Sequence, residues 1–207
     1  MSRNTPVPSP SYAPEGSPAR AGREKLPEWD LTDLFPAPDS PELAKTIAAS
    51  RKDCQAFEKR YQGILADLDG DGLAASISAY EALDETLSRV MSYAGLLYAG
   101  DMTDPANGQF MQSMQETVTE ISSHLLFFAL EINRIEEADL QISLKAPELA
   151  FYKPWLRDVR AFRDHQLSDE IEEKLHEKSV TGKSAWVRLF DETFARLRFP
   201  FDGKQLT

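Results

Sequence analysis

The stretch DPANGQFMQSMQETVTEISSHLLFFALEINRIEEADL, Asp104 to Leu140, decides the fold. Its apolar residues fall at Met111, Met114, Val118, Ile121, Leu125, Phe128, Ile132 and Ile135. The gaps alternate between three and four, which places one stripe on an α-helix. Asp104 suits an N-cap and Pro105 a first helical position. The spacing predicts one helix over Asp104–Leu140, roughly 55 Å long at 1.5 Å per residue. A stripe that narrow on a rod that long requires partner helices along its length.

The flanking sequence supplies them. A first helix is predicted from Pro41 to Leu68, capped by Ser40, with Leu43, Ile47, Cys54, Phe57, Tyr61, Ile64 and Leu68 on one face. A second is predicted from Asp71 to Gly100, with Leu73, Ile77, Tyr80, Leu87, Met91, Ala94 and Tyr98 as its stripe, Asp71 as cap and Gly100 as stop. The turn Gly100-Asp101-Met102-Thr103 makes helices two and three an antiparallel hairpin with helix one beside them. Beyond Leu140 the elements shorten. Pro147 opens a helix carrying Leu149, Tyr152, Trp155, Val159 and Phe162, with Pro154 as a kink. Ser168 caps an acidic helix to about Lys178, Thr181-Gly182-Lys183 turns, and Ser184–Leu197 forms another helix with Trp186, Leu189, Phe190 and Phe194. The Asp202-Gly203 turn closes a short β-hairpin. The expected fold is therefore all-α for the most part: an antiparallel bundle of long helices, then shorter ones, with a minor C-terminal hairpin.

Composition sets the domain limits. Nine of the thirteen prolines precede position 42, and residues 1–26 are read as a disordered Pro/Ser-rich tail. Folded structure is expected over 27–207, with Trp29, Leu31, Leu34 and Phe35 pinning the lead-in segment to the bundle. The net charge is −11; residues 1–27 carry +2, so the remainder carries −13. Such a surface disfavours nucleic acid and anionic membrane. No apolar run approaches the ~20 residues of a membrane span, and no signal-peptide core is visible. The single cysteine, Cys54, allows no internal disulfide and implies a reducing compartment, hence cytoplasm.

The motifs that could carry chemistry each fall short. Asp67-Leu68-Asp69-Gly70-Asp71-Gly72 matches the first half of an EF-hand loop, but Ser78 stands where a bidentate Glu is required and Ala74 where a larger apolar residue is usual. It reads as an acidic turn. His176-Glu177-Lys178-Ser179-Val180 begins like H-E-x-x-H and lacks the second histidine that grips zinc from one helical face. His176 reads instead as a helix C-terminal histidine, His124 as facing Glu120 one turn back, and His165 as solvated. Gly182-Lys183-Ser184 matches only the tail of a phosphate loop, with Glu177 where the first glycine belongs. Cys54 lies on a core stripe with no marked His partner. Arg157, Arg160 and Arg163 recur every third residue, and the acidic run Asp169, Glu170, Glu172, Glu173 is their expected partner. No catalytic, cofactor-binding or metal-binding residue is assigned.

Five stretches in order carry a family resemblance: Trp29-Asp30-Leu31-Thr32-Asp33-Leu34, Ser92-Tyr93-Ala94, Asp101-Met102-Thr103-Asp104, Thr181-Gly182-Lys183-Ser184-Ala185-Trp186-Val187-Arg188-Leu189-Phe190-Asp191-Glu192, and Phe201-Asp202-Gly203. Their succession resembles the N-terminal half of oligoendopeptidase F, of the M3 (thimet-type) zinc metallopeptidases. The resemblance implies a helical, channel-wall lobe of an enzyme that hydrolyses short oligopeptides. In that family zinc is held by an H-E-x-x-H helix and a later Glu in the C-terminal part, and none of those groups maps onto a residue here. The resemblance therefore implies a lobe inactive alone, whose partners are the catalytic lobe and short peptides, and whose zinc lies elsewhere. A truncated chain, a gene fragment or a split protein would each fit. The alternative reading is a free-standing helical interaction module without catalysis.

Overall fold

The computed structural model describes residues 29–206, so the tail read over residues 1–26 lies outside the described residues. The chain forms two units, Met1–Asp30 and Leu31–Thr207. In the first, Trp29 is exposed.

In the second unit Ser40 Oγ accepts from the Leu43 N–H at 3.3 Å, and helix α1 (Pro41–Tyr61) begins there with proline in its first turn. It stops seven residues short of the predicted Leu68. Gly63 adopts φ +83°, which turns the chain, and a 3₁₀ turn (Leu65–Asp67) follows. Leu65 is thereby buried, while Ile64, expected on the stripe, is exposed. Helix α2 (Gly70–Gly100) is capped by Asp69, whose carboxylate accepts from Gly72 N–H at 2.8 Å. Asp71, the expected cap, is already helical, and Asp101 rather than Gly100 occupies the C-cap.

The predicted rod over Asp104–Leu140 is broken. Asp104 caps helix α3 (Pro105–Ser122) by accepting from Ala106 N–H at 2.8 Å. A 3₁₀ turn (Ser123–Leu125) links it to helix α4 (Leu126–Arg134). The chain leaves helical geometry at Ile135 and resumes as α5 (Glu137–Ser143). The break falls where Ser122 and Ser123 bond the backbone: their hydroxyls donate to Thr119 O and Glu120 O. The seam survives, because Met114, Ile121, Leu125, Phe128, Ile132 and Ile135 are all buried.

Ring contacts give the helix directions. Tyr93 meets Phe110 with centroids 6.0 Å apart, and Tyr80 stacks on Phe128 at 4.8 Å, so α2 and α3–α4 run antiparallel. Arg51 pairs with Glu120 and Glu58 with His124, so α1 runs parallel to α3. Phe128 is the hub of the larger core, touching Phe57, Tyr80, Phe127 and Trp155. A smaller core joins Phe35, Leu43, Val90, Tyr93, Ala94 and Met114, with Leu31 and Leu34 packed against it. Arg89 fixes the lead-in segment by donating to the carbonyls of Asp33 and Leu34.

Pro147 opens only a 3₁₀ turn (Pro147–Leu149), and Pro154 does not kink a helix but starts one, α6 (Lys153–Arg160). Leu156 rather than Trp155 is its fully buried residue, and Phe162 is exposed. Helix α7 (Asp169–Lys178) follows Ser168, whose hydroxyl makes no cap bond; Glu172 instead accepts from Leu167 N–H at 2.9 Å. Helix α8 (Lys183–Arg196) precedes strands β1 (Phe199–Phe201) and β2 (Lys204–Leu206). They pair antiparallel in the register Phe199↔Leu206 and Phe201↔Lys204. Asp202 and Gly203, at φ 46° and 71°, form the two-residue left-handed turn such hairpins require.

Candidate functional site

Burial stops abruptly along the chain. Among the described residues none after Leu156 is buried, although α7 and α8 carry helical apolar stripes. On α8, Trp186, Phe190 and Phe194 recur every fourth residue and so share a face, and all are exposed, Trp186 by 71%. Phe190 and Phe194 rings pack on each other at 4.2 Å, and both side chains are exposed. Phe199, Phe201 and Leu206 of the hairpin are exposed as well. Large apolar side chains exposed together on one helix face are a candidate binding surface. The opposite side of α8 meets the α2–α3 hairpin, where two clefts open: one of about 380 Å³ reaching Gly108, Arg188 and Glu192, the other of about 450 Å³ reaching Gly95, Met111 and Val187.

The residues singled out in the sequence do not converge. His124 Nδ1 donates to Glu58 Oε2 at 2.8 Å, while the Glu120 carboxylate one turn back accepts from Arg51 and feels His124 only through space. That guanidinium holds the Glu120 carboxyl below the usual carboxylate range. His176 Nε2 donates to Thr119 O at 3.1 Å and lies 3.0 Å from Ser122 Oγ, so it ties α7 to the end of α3 rather than serving its own helix terminus. His165 is exposed. The half EF-hand is not a loop, since α2 starts at Gly70 within it, and Asp69 is spent on the cap. Asp71 sits against Glu148, whose negative charge raises the Asp71 pKa. Arg160 does not reach the acidic run. It donates to Ile132 O, Ile135 O and Glu137 Oε2, and Arg134 instead pairs with Asp169. Cys54 is fully buried, and burial pushes its thiol up to about 11.

Sequence reasoning missed Arg160 as the C-terminal cap of α4, because its partners lie 25 and 28 positions away. The apolar face of α8 was visible as a stripe, but a stripe alone does not distinguish core from contact surface.

A family model for M3 peptidase N-terminal regions, described as Oligopeptidase F, matches residues 131–199, which include α8. An oligoendopeptidase F homolog of Borreliella burgdorferi is 27% identical over 148 residues, covering 72% of this chain and 24% of its own length. The crystal structure of oligoendopeptidase-F from Enterococcus faecium shares the fold at a TM-score of 0.64 and 19% identity, covering 80% of this chain and 33% of that one. The chain thus spans a quarter to a third of the length of these relatives. Fold, family match and relative support one class, an N-terminal helical lobe of the M3 peptidases. Within that class they point to the oligoendopeptidase F type.

The described residues do not fit the zinc that this family implies. No group of three or more His, Cys, Asp or Glu among them could hold a metal ion, and His124 and His176 are engaged with Glu58 and Thr119. No helix among them is long and apolar enough to cross a membrane.

Proposed function

We propose that residues 27–207 act as one lobe walling the channel of a zinc-dependent, cytoplasmic endopeptidase that hydrolyses short oligopeptides. The lobe limits access and carries part of the substrate-facing surface, while zinc and general base belong to a C-terminal catalytic lobe. The observation that carries this reading is the exposed aromatic face of α8, within the region matched to the family, together with the exposed hairpin that follows it. A catalytic lobe seated there would take those side chains out of water, at roughly 25 cal/mol per Å² of apolar area. A free-standing interaction module would seat the same face on a partner of its own, and the family match over 131–199 favours the lobe reading instead. By itself the lobe does not cleave peptides.

The test joins these residues to the remaining two-thirds of an oligoendopeptidase F and follows a quenched fluorescent oligopeptide with zinc or with chelator. Zinc-dependent cleavage by the joined chain and none by the 207 residues alone is expected. Cleavage by the lobe alone, or an inert joined chain, would sink the proposal.

A further inference from the structure

We infer that the cleft between α5 and α6 binds an aliphatic carboxylate, its charge held by Lys153 and Arg157 and its chain laid on Leu144 and Ala161. At about 400 Å³ the cleft falls within the size range of small-ligand sites. Its lining holds three cations, Lys153, Arg157 and Arg160, and one carboxylate, Glu137. That local balance is +2, in a chain whose net charge is −11.

Two features point to an anion with an apolar body. The first is charge. Lys153, Arg157 and Arg160 fall at i, i+4 and i+7 and so share one face of α6. Like charges one turn apart weaken a helix, and the facing helix does not offset them. Its carboxylate is already taken: Glu137 accepts from Gln141 Nε2 at 2.8 Å on one oxygen and from Arg160 at 3.0 Å on the other. The Gln141 bond, then the Arg160 bond, hold Glu137 below the usual carboxylate range, so it stays ionised and spoken for. Lys153 forms no ion pair among the described residues. Arg157 pairs with the adjacent Asp158 at 2.8 Å, but both side chains stand well out in water, where such a contact is weak. The second feature is an apolar floor that a ligand can reach. Leu140 and Leu156 are buried beneath it, while Leu144 is half-buried and Ala161 exposed. The methylene stems of Lys153 and Arg157 extend that apolar surface.

A cationic rim over a reachable apolar floor selects a molecule with both parts. A carboxylate matches the planar fork of Arg157 and takes a further donor from Lys153. A phosphate dianion costs more to bring against apolar side chains. A neutral aliphatic molecule leaves both charges unanswered. The acidic run of α7 does not answer them either, because its Asp169 is held by Arg134. The cleft is built from α5, α6 and the residues that flank them, so its ligand does not depend on the endopeptidase reading.

The test titrates the 207-residue chain with octanoate at neutral pH and follows backbone amide resonances. Saturable shifts at Gln141, Leu144, Arg157 and Ala161 are expected. Acetate, which lacks the chain, and octanamide, which lacks the charge, should each bind at least about tenfold more weakly. Lys153→Gln combined with Arg157→Gln removes both charges from exposed positions and should weaken octanoate about tenfold. The comparison of octanoate with octanamide uses the unaltered chain, so it decides the charge requirement even if the paired variant unfolds. Any of four results overturns the inference: no saturable shift, shifts centred on the aromatic face of α8, octanamide or the folded paired variant binding as well as octanoate to the parent, or inorganic phosphate binding more tightly than octanoate.

Discussion

Arg160 donates to the carbonyl oxygen of Ile132 at 2.7 Å, joining helix α6 to the end of α4. The same guanidinium reaches Ile135 O at 3.0 Å and Glu137, and its side chain is only 10% exposed. It therefore closes the terminus that the break at Ile135 leaves open. Arg160→Ala should destabilise the fold by about 1.5–3 kcal/mol, as expected for charged hydrogen bonds lost at half-buried carbonyls. Arg160→Lys should recover only part, since an ammonium lacks the fork that spans several oxygens. Urea denaturation measures both.

Phe128 is fully buried among Phe57, Tyr80, Phe127 and Trp155. Phe128→Ala should cost about 3–5 kcal/mol, through lost burial and the cavity left behind. Phe128→Leu should cost visibly less. A Phe128→Ala midpoint in urea equal to the parent's would show that the aromatic hub does not hold the bundle.

Two glycines of one helix should respond in opposite directions. A Cβ at Gly70 would lie 2.5 Å from Ala146 Cβ and 2.6 Å from Ser143 O, both set by backbone. Gly70→Ala should therefore destabilise by about 1–3 kcal/mol. At Gly95 a Cβ meets nothing within 4 Å, and Gly95→Ala should stabilise by about 0.5–1 kcal/mol. Melting temperatures of the pair check the sign.

These residues also mark how far the sequence could be read. Periodicity placed the helices and most of the core, because burial against a neighbour imposes its spacing on whichever helix makes the contact. It could not place the breaks. Gly63 ends α1 through a positive φ, and the serines at positions 122 and 123 loosen the long helix, while the apolar rhythm runs on past both. Partners distant in sequence were equally invisible: His124 chose Glu58, 66 positions away, over Glu120 one turn back. The apolar face of α8 obeys the same rhythm as a core helix, and only exposure distinguishes the two.

Asp71 faces Glu148, whose charge chiefly raises its pKa, with a hydrogen bond to the same residue, burial and Asp69 adding to it. A carboxyl raised on folding weakens the fold where it is ionised, and the penalty fades as pH falls through the raised value. Asp71→Asn should raise the urea midpoint near neutral pH. That gain should shrink as pH falls through the raised value, where the parent's own carboxyl takes up a proton. A gain independent of pH would rule out the carboxylate repulsion.

Burial raises the Cys54 thiol from 9.0 to about 11. In the native state it should resist a thiol-specific disulfide reagent at pH 8 and react at the rate of global unfolding. Because the unfolded thiol ionises first, stability should fall as pH rises from about 9 toward 11. Cys54→Ala should remove that increment of alkaline sensitivity. Rapid native labelling would show that the site opens locally.

The end of burial at Leu156 has a consequence for biosynthesis. Chains leave the ribosome amino end first, so the hub around Phe128 can close while α8 is still being made. The Phe190–Phe194 pair then emerges onto a finished body with no interior left to enter. Left uncovered, that sticky helix is the surface on which newborn chains would clump, and the one a holdase chaperone would grip first.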